Sequence, residues 1–118
     1  MLKSYKEKYE FAKRKIEAEK ILKKYPDRIP IIVEVSPSMP NLKLEKNKYL
    51  CPGDLTCGQF FYVIRKRTTL APEQALFMFI NNTLPATSAM MKQMYKEHKD
   101  VDGFLYMLIS EESTFGCS

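Results

Sequence analysis

The widest chemical possibility in this chain lies with Cys57, in LTCGQFFYVIRKR, and His98, its single histidine. A thiol becomes a catalytic nucleophile when a base takes its proton, and imidazole is a common base for that work. Cys57 falls in the first turn of an expected helix, where the helix dipole lowers a thiol pKa. Cysteine in an apolar stretch usually packs as a small hydrophobic residue, however, and nothing in the spacing brings His98 to Cys57. Packing is therefore the expectation for Cys57 and for Cys51, with a thiol enzyme as the minor alternative. Three cysteines (Cys51, Cys57, Cys117) and one histidine without ligand spacing make no metal site. The four glycines, at 53, 58, 103 and 116, are scattered and form no phosphate cradle. No pattern pairs carboxylates in a cleft. The chain reads as a protein that is not an enzyme and that needs no cofactor.

Recognition remains. The segment KYLCP at 48–52 has strand-forming residues beside Lys46 and Lys48. As an edge strand it would offer unpaired amides to an extended peptide and an electropositive rim to its acids. An ordinary edge strand is the competing reading. The second point is the ending, EESTFGCS. A glycine there is either a flexible stop or the one residue narrow enough to enter another protein's active site.

These residues must be positioned by a small set of elements. Ser4 and Glu7 have capping-box spacing, so a short helix is expected to begin there. Phe11, Ala18, Ile21, Leu22 and Tyr25 fall on one side of a second helix, which should end at Tyr25 because Pro26 disfavours helix in the residue before it. RIPIIVEV at 28–35 reads as a strand, with Pro30 marking an edge or the strand's beginning. The proline-rich PSMPN is a loop, and KYLCP a second strand. Thr56 and Gln59 repeat the capping box before a central helix on which Phe60, Val63, Ile64 and Arg67 keep helical spacing. LFMFI at 76–80 has the length of a fully buried strand, closed by Asn81 and Asn82 as a turn. Thr87 or Ser88 is expected to cap a helix running to about Lys99 with Met91, Met94 and Tyr95 inward, and FLYMLIS is the last strand. The order predicts an α+β fold: a ubiquitin-like β-grasp with a four-stranded mixed sheet, one face covered by helices, and two additional N-terminal helices.

Composition agrees with one domain. At 118 residues, 45% hydrophobic and 28% charged, the chain is long enough for one core and too apolar for global disorder. No apolar run approaches the roughly 20 residues that span a bilayer. The N-terminal stretch has no apolar block of the signal-peptide kind, so the cytosol is the default expectation. The net charge of +5 is uneven, because lysine and arginine outnumber acids in the helical first 28 residues. Such a surface attracts acidic membranes, acidic proteins or nucleic acid, or is simply solvated.

KKYPDRIPIIVE, KYLCPGDLTCGQFFYVIRKR, ALFMFINN, YKEHKDVDGFLYM and the ending FG together resemble the autophagy-related protein 8 family, most of all its GABARAP-like branch. The resemblance covers essentially the whole chain in order. It implies a ubiquitin-like modifier with residues 1–26 as a helical extension, 27–116 as the β-grasp and 117–118 as a tail. It also implies a ligation cycle. A cysteine protease cuts after Gly116 and removes Cys117 and Ser118. An activating enzyme and a conjugating enzyme then pass the glycine carboxyl to phosphatidylethanolamine, on autophagosomal membranes. No nucleic acid enters this reading.

The resemblance further implies binding of aromatic-x-x-aliphatic peptides from cargo receptors. The matching residues give an aromatic pocket of Glu17, Ile21, Pro30, Ile32, Lys48, Leu50 and Phe104. The aliphatic pocket would use Tyr49, Pro52, Leu55, Phe60 and Val63, and Arg28, Lys46, Lys48 and Arg67 would meet acids flanking the peptide. Plain core packing is the rival reading for Ile32, Leu50 and Phe60. Departures from the family pattern are Cys51 and Cys57, where aliphatic residues are usual, and the loop PSMPN. The basic helices keep the character that the family associates with tubulin or membrane contact. A non-covalent trafficking adaptor, binding peptides, tubulin or receptor tails without using its terminus, is the alternative function.

Overall fold

A computed structural model describes residues 4–39, 42–71 and 73–111. Gly116, Cys117 and Ser118 lie outside the described residues, as do Pro40 and Asn41 of the PSMPN loop. The elements run α1 (Tyr5–Lys8), α2 (Phe11–Lys24), β1 (Arg28–Val35), β2 (Lys48–Pro52), α3 (Cys57–Lys66), β3 (Phe77–Ile80), α4 (Met91–His98) and β4 (Leu105–Ser110). The four strands form one mixed sheet in the order β2-β1-β4-β3, with β1 antiparallel to β2 and parallel to β4. This is the ubiquitin-like α+β arrangement.

Side-chain alternation along β1 explains its unbroken apolar run. Ile29, Ile31 and Val33 join Phe60 and Ile64 of α3 and Met91 of α4 in the main core. Ile32 turns the other way, to Tyr5 of α1, Ala18 of α2 and Phe104. A strand buried on both faces reads as continuous rather than alternating hydrophobicity. The expectation of helices covering one face is thereby corrected, because α1 and α2 cover the second.

Pro30 lies in an inner strand, not at an edge. It is tolerated because pairing with β4 begins only at Ile31, so the missing amide breaks no bond of that ladder. Its partner across β2 is Leu50, and a residue without an N–H makes that the non-hydrogen-bonded kind of antiparallel pair. The Val33 N–H bond to the Asn47 carbonyl, at 2.7 Å, keeps the same alternation. It follows that the backbone N–H and C=O of Lys48 and Leu50 point outward, away from the sheet.

Both capping boxes form, Ser4 with Glu7 and Thr56 with Gln59. The fourth helix departs from expectation: it starts at Met91 behind Met90, without a side-chain cap from Thr87 or Ser88. The preceding backbone is already used. Ala89 and Thr87 carbonyls accept from the Cys57 and Gly58 amides at 2.8 and 3.0 Å, and Met91 N–H donates to the Leu55 carbonyl at 2.8 Å. Those bonds satisfy the open N-terminus of α3 and hold 87–90 out of helix. Phe11 and Tyr25, expected on the inner side of α2, are instead 43% and 40% exposed, with Arg14 and Lys24 set over their rings.

The N-terminal helices are fastened by a buried polar centre. Asp102, 1% exposed, accepts from Arg14 Nη1 and from the Tyr106 hydroxyl, each at 2.6 Å, and from the Phe104 amide at 2.8 Å. Gly103, at φ +98°, adopts a backbone that L side chains rarely enter, and a Cβ there would stand 2.9 Å from the Ala18 Cβ.

Candidate functional site

The site is the β2 edge of the sheet, with apolar residues on each face that would line a recess for a peptide side chain. Lys48 and Leu50 share a face with Ile32 and Pro30, their partners in register on β1. From α2, Ile21 packs partly buried on the same cluster, and Glu17 stands at the rim, ion-paired to Lys48. Ile32 and Phe104 are completely buried and form the floor. The structure thus gathers all seven residues expected of the aromatic pocket on one face.

The opposite face carries Tyr49, whose ring meets Phe60 edge-on at 5.9 Å between centroids. Both are buried, with Leu55 partly buried against the same core and Val63 38% exposed on α3. Pro52 ends β2, and by alternation it belongs to the Leu50 side rather than the Tyr49 side on which it was expected. Cys51 and Cys57 sit beneath this face, 2% and 4% exposed, so they are packing residues and not part of a rim.

Cations surround the edge. Arg28, at the start of β1, donates to the outward Leu50 carbonyl at 3.4 Å. Lys46 Nζ stands 5.6 Å from the Tyr49 ring centre, and Arg67 pairs loosely with Glu45 at 3.9 Å. Burial works to raise the Glu17 carboxyl, but hydrogen bonds from Lys48 and Tyr5 outweigh it and hold the group below the usual carboxylate range.

The geometry does not favour thiol chemistry. Burial raises the Cys57 thiol and pushes Cys51 up to about 12, so desolvation outweighs the helix-dipole lowering expected for Cys57. His98 is engaged elsewhere, with Nδ1 2.9 Å from Asn81 Nδ2 and Glu97 beside it. Among the described residues, no group of three or more His, Cys, Asp or Glu could hold a metal ion, and no helix is long and apolar enough to cross a membrane.

Tyr5 was not foreseen in the site. It is 5% exposed under the aromatic recess, its ring edge-on to Phe104 at 5.8 Å and its hydroxyl donating to Glu17 at 2.7 Å. The signal available was an aromatic residue directly after a capped helix start.

Comparison with known proteins agrees with this architecture. The family profile described as "Autophagy protein Atg8 ubiquitin like" matches residues 13–116. Autophagy-related protein 8 of Mycosarcoma maydis is 55% identical over 116 residues, covering 98% of each chain, and that of Candida glabrata is 53% identical over the same length and coverage. Among solved structures, Trypanosoma brucei ATG8 superposes with a TM-score of 0.86 at 44% identity, covering 98% of this chain and all of that one. Plasmodium falciparum Atg8 in complex with a Plasmodium falciparum Atg3 peptide superposes at 0.87, with 34% identity and coverage of 97% and 100%. With its β-grasp, its N-terminal helices and its cation-lined open strand, the chain belongs to the Atg8 family of ubiquitin-like autophagy proteins.

Proposed function

We propose that this protein is a membrane-conjugated modifier and peptide scaffold of autophagy, a substrate of enzymes and not itself one. One observation carries the peptide-binding half: β2 is an edge strand whose outward amides separate two groups of apolar side chains on opposite faces of the sheet. Successive side chains of an extended peptide point to opposite faces, so residues three apart fall on opposite sides. A peptide paired with β2 would set the aromatic residue of an aromatic-x-x-aliphatic motif on Ile32 and Leu50, and the aliphatic residue against Tyr49 and Val63. Backbone pairing would supply affinity and the recesses specificity. Arg28, Lys46, Lys48 and Arg67 would meet acids beside the motif. The Plasmodium falciparum relative was solved in complex with an Atg3 peptide, which supports peptide recognition by this fold; on this chain a conjugating enzyme and cargo receptors would compete for the β2 edge.

The conjugation half rests on Gly116. A processing protease would release Cys117 and Ser118, and activating and conjugating enzymes would transfer the glycine carboxyl to the amine of phosphatidylethanolamine. The chain would then move from cytoplasm to autophagosome membrane. Two acyl chains contribute about 0.8 kcal/mol per buried CH₂, which gives stable anchoring without a spanning segment.

The test is intact mass before and after incubation with the family's protease, activating and conjugating enzymes, ATP and phosphatidylethanolamine liposomes. Loss of two residues followed by gain of one lipid is expected, and Gly116→Ala should abolish both while leaving peptide binding unchanged. An unaltered C-terminus beside active controls would leave a non-covalent trafficking adaptor.

A further inference from the structure

Lys48 is the cation nearest the aromatic recess, and it is already occupied. Its ammonium is bonded to one oxygen of Glu17 while the Tyr5 hydroxyl donates to the other at 2.7 Å. Lys48 Nζ also lies 5.7 Å from the centre of the Tyr5 ring. Tyr5 itself is fixed from several directions: its amide donates to Glu34 at 2.8 Å, its ring packs on Phe104, and the next residue, Lys6, pairs with Asp100 at 2.5 Å. The Glu17 and Lys48 side chains are 40% and 33% exposed, so an incoming ligand can reach both.

We propose that Tyr5 is a positioning residue for peptide selectivity: by holding Glu17 against Lys48, it sets how much of that charge an acidic partner can use. The proposal rests on the reading of the β2 edge as a peptide site. An acidic residue arriving at Lys48 meets a carboxylate already there and must share the ammonium with it or displace it, so part of the ion-pair gain is cancelled. A neutral residue displaces nothing. The tie from Tyr5 matters because glutamate is a flexible side chain; with one oxygen held, the other remains aimed at Lys48, and without that bond the pair loses orientation. Helix α1, only four residues long, thereby moderates the acid preference of an edge to which it contributes no strand.

Two synthetic peptides test this, sharing an aromatic-x-x-aliphatic core and differing in glutamates or glutamines just before the aromatic residue. Their affinities are measured by calorimetry for the unaltered chain, Glu17→Gln and Tyr5→Phe. Glu17→Gln should raise the acidic-to-neutral affinity ratio about three- to fivefold, the size expected of a part-exposed ion pair. Tyr5→Phe keeps the ring on Phe104 and removes only the hydroxyl, so the acidic-to-neutral ratio should rise about twofold. A ratio unchanged in either variant, or a Tyr5→Phe loss shared equally by both peptides, would overturn the proposal. Failure of both peptides to bind the unaltered chain would instead overturn the peptide-site reading and the proposal with it.

Discussion

At the scale of single residues, burial decides protonation. The thiols of Cys51 and Cys57 and the hydroxyls of Tyr5, Tyr49, Tyr95 and Tyr106 all lose protons less readily than their free counterparts, with desolvation as the leading cause in each. In the alkaline range the folded chain therefore binds more protons than the unfolded one, and stability falls as pH rises. The stabilising contribution is intact below about pH 8.5, the ordinary thiol value, and is lost progressively as pH climbs towards about 12, the value for Cys51. Urea midpoints measured by circular dichroism at pH 8, 10 and 11 should decline in that order; a midpoint rising with pH would contradict this account. Little of the residue scale was legible in the sequence beyond the two cysteines as packing residues. Asp102, flanked by a valine and a glycine in DVDGF, carries no local sign that it will be buried against Arg14, 88 positions away. Such a pair exists only once α2 and the turn before β4 have met.

At the scale of elements, local chemistry and tertiary bonding part company between α3 and α4. Thr56 caps α3, its hydroxyl accepting from the Gln59 amide at 3.1 Å, whereas exposed Thr87 caps nothing. Thr56→Ala should accordingly cost about 1 kcal/mol. Thr87→Ala should stay within about 0.5 kcal/mol, as surface changes away from such features do. Chemical denaturation of the two variants distinguishes the cases, and equal losses would restore Thr87 as a cap. The same contrast explains what could be read in advance. Both capping boxes, the ends of β1 and β2 and the asparagine turn after β3, where Asn81 and Asn82 adopt positive φ, follow from signals within a few residues. The start of α4 does not, because the carbonyls of Thr87 and Ala89 answer to a helix some 30 positions earlier. Phe11 misled for a related reason: its periodicity is helical, but in the folded chain it is 43% exposed with Arg14 set over its ring.

At the scale of the whole molecule, charge and topology meet at one edge. The net charge of +5 and the cations Arg28, Lys46, Lys48 and Arg67 around β2 should draw acidic peptides and hasten their encounter. Raising salt from about 0.05 to 0.5 M should slow association of an acidic peptide by about tenfold, with dissociation much less affected. Stopped-flow or surface-plasmon kinetics would read this, and a salt-independent on-rate would remove the cations from recognition. The fold class and element order were legible at this scale because patterning and turn residues agree throughout the chain. The second covered face was not, since a run such as IPIIV shows that β1 is buried without saying by what.

The parallel pairing of β1 with β4 also governs when the protein can exist during its own synthesis. β1 is complete about 70 residues before β4 begins, yet β4 is its neighbour at the centre of the sheet. At roughly 5–20 residues per second, that is a wait on the order of 4–14 s. Throughout it, Ile31, Ile32 and Val33 leave the ribosome lacking the strand that completes their burial. Until β4 emerges, the nascent chain keeps an apolar strand without its central partner, which favours aggregation over folding, and only then does the edge that we assign to peptides become distinct from every other exposed strand.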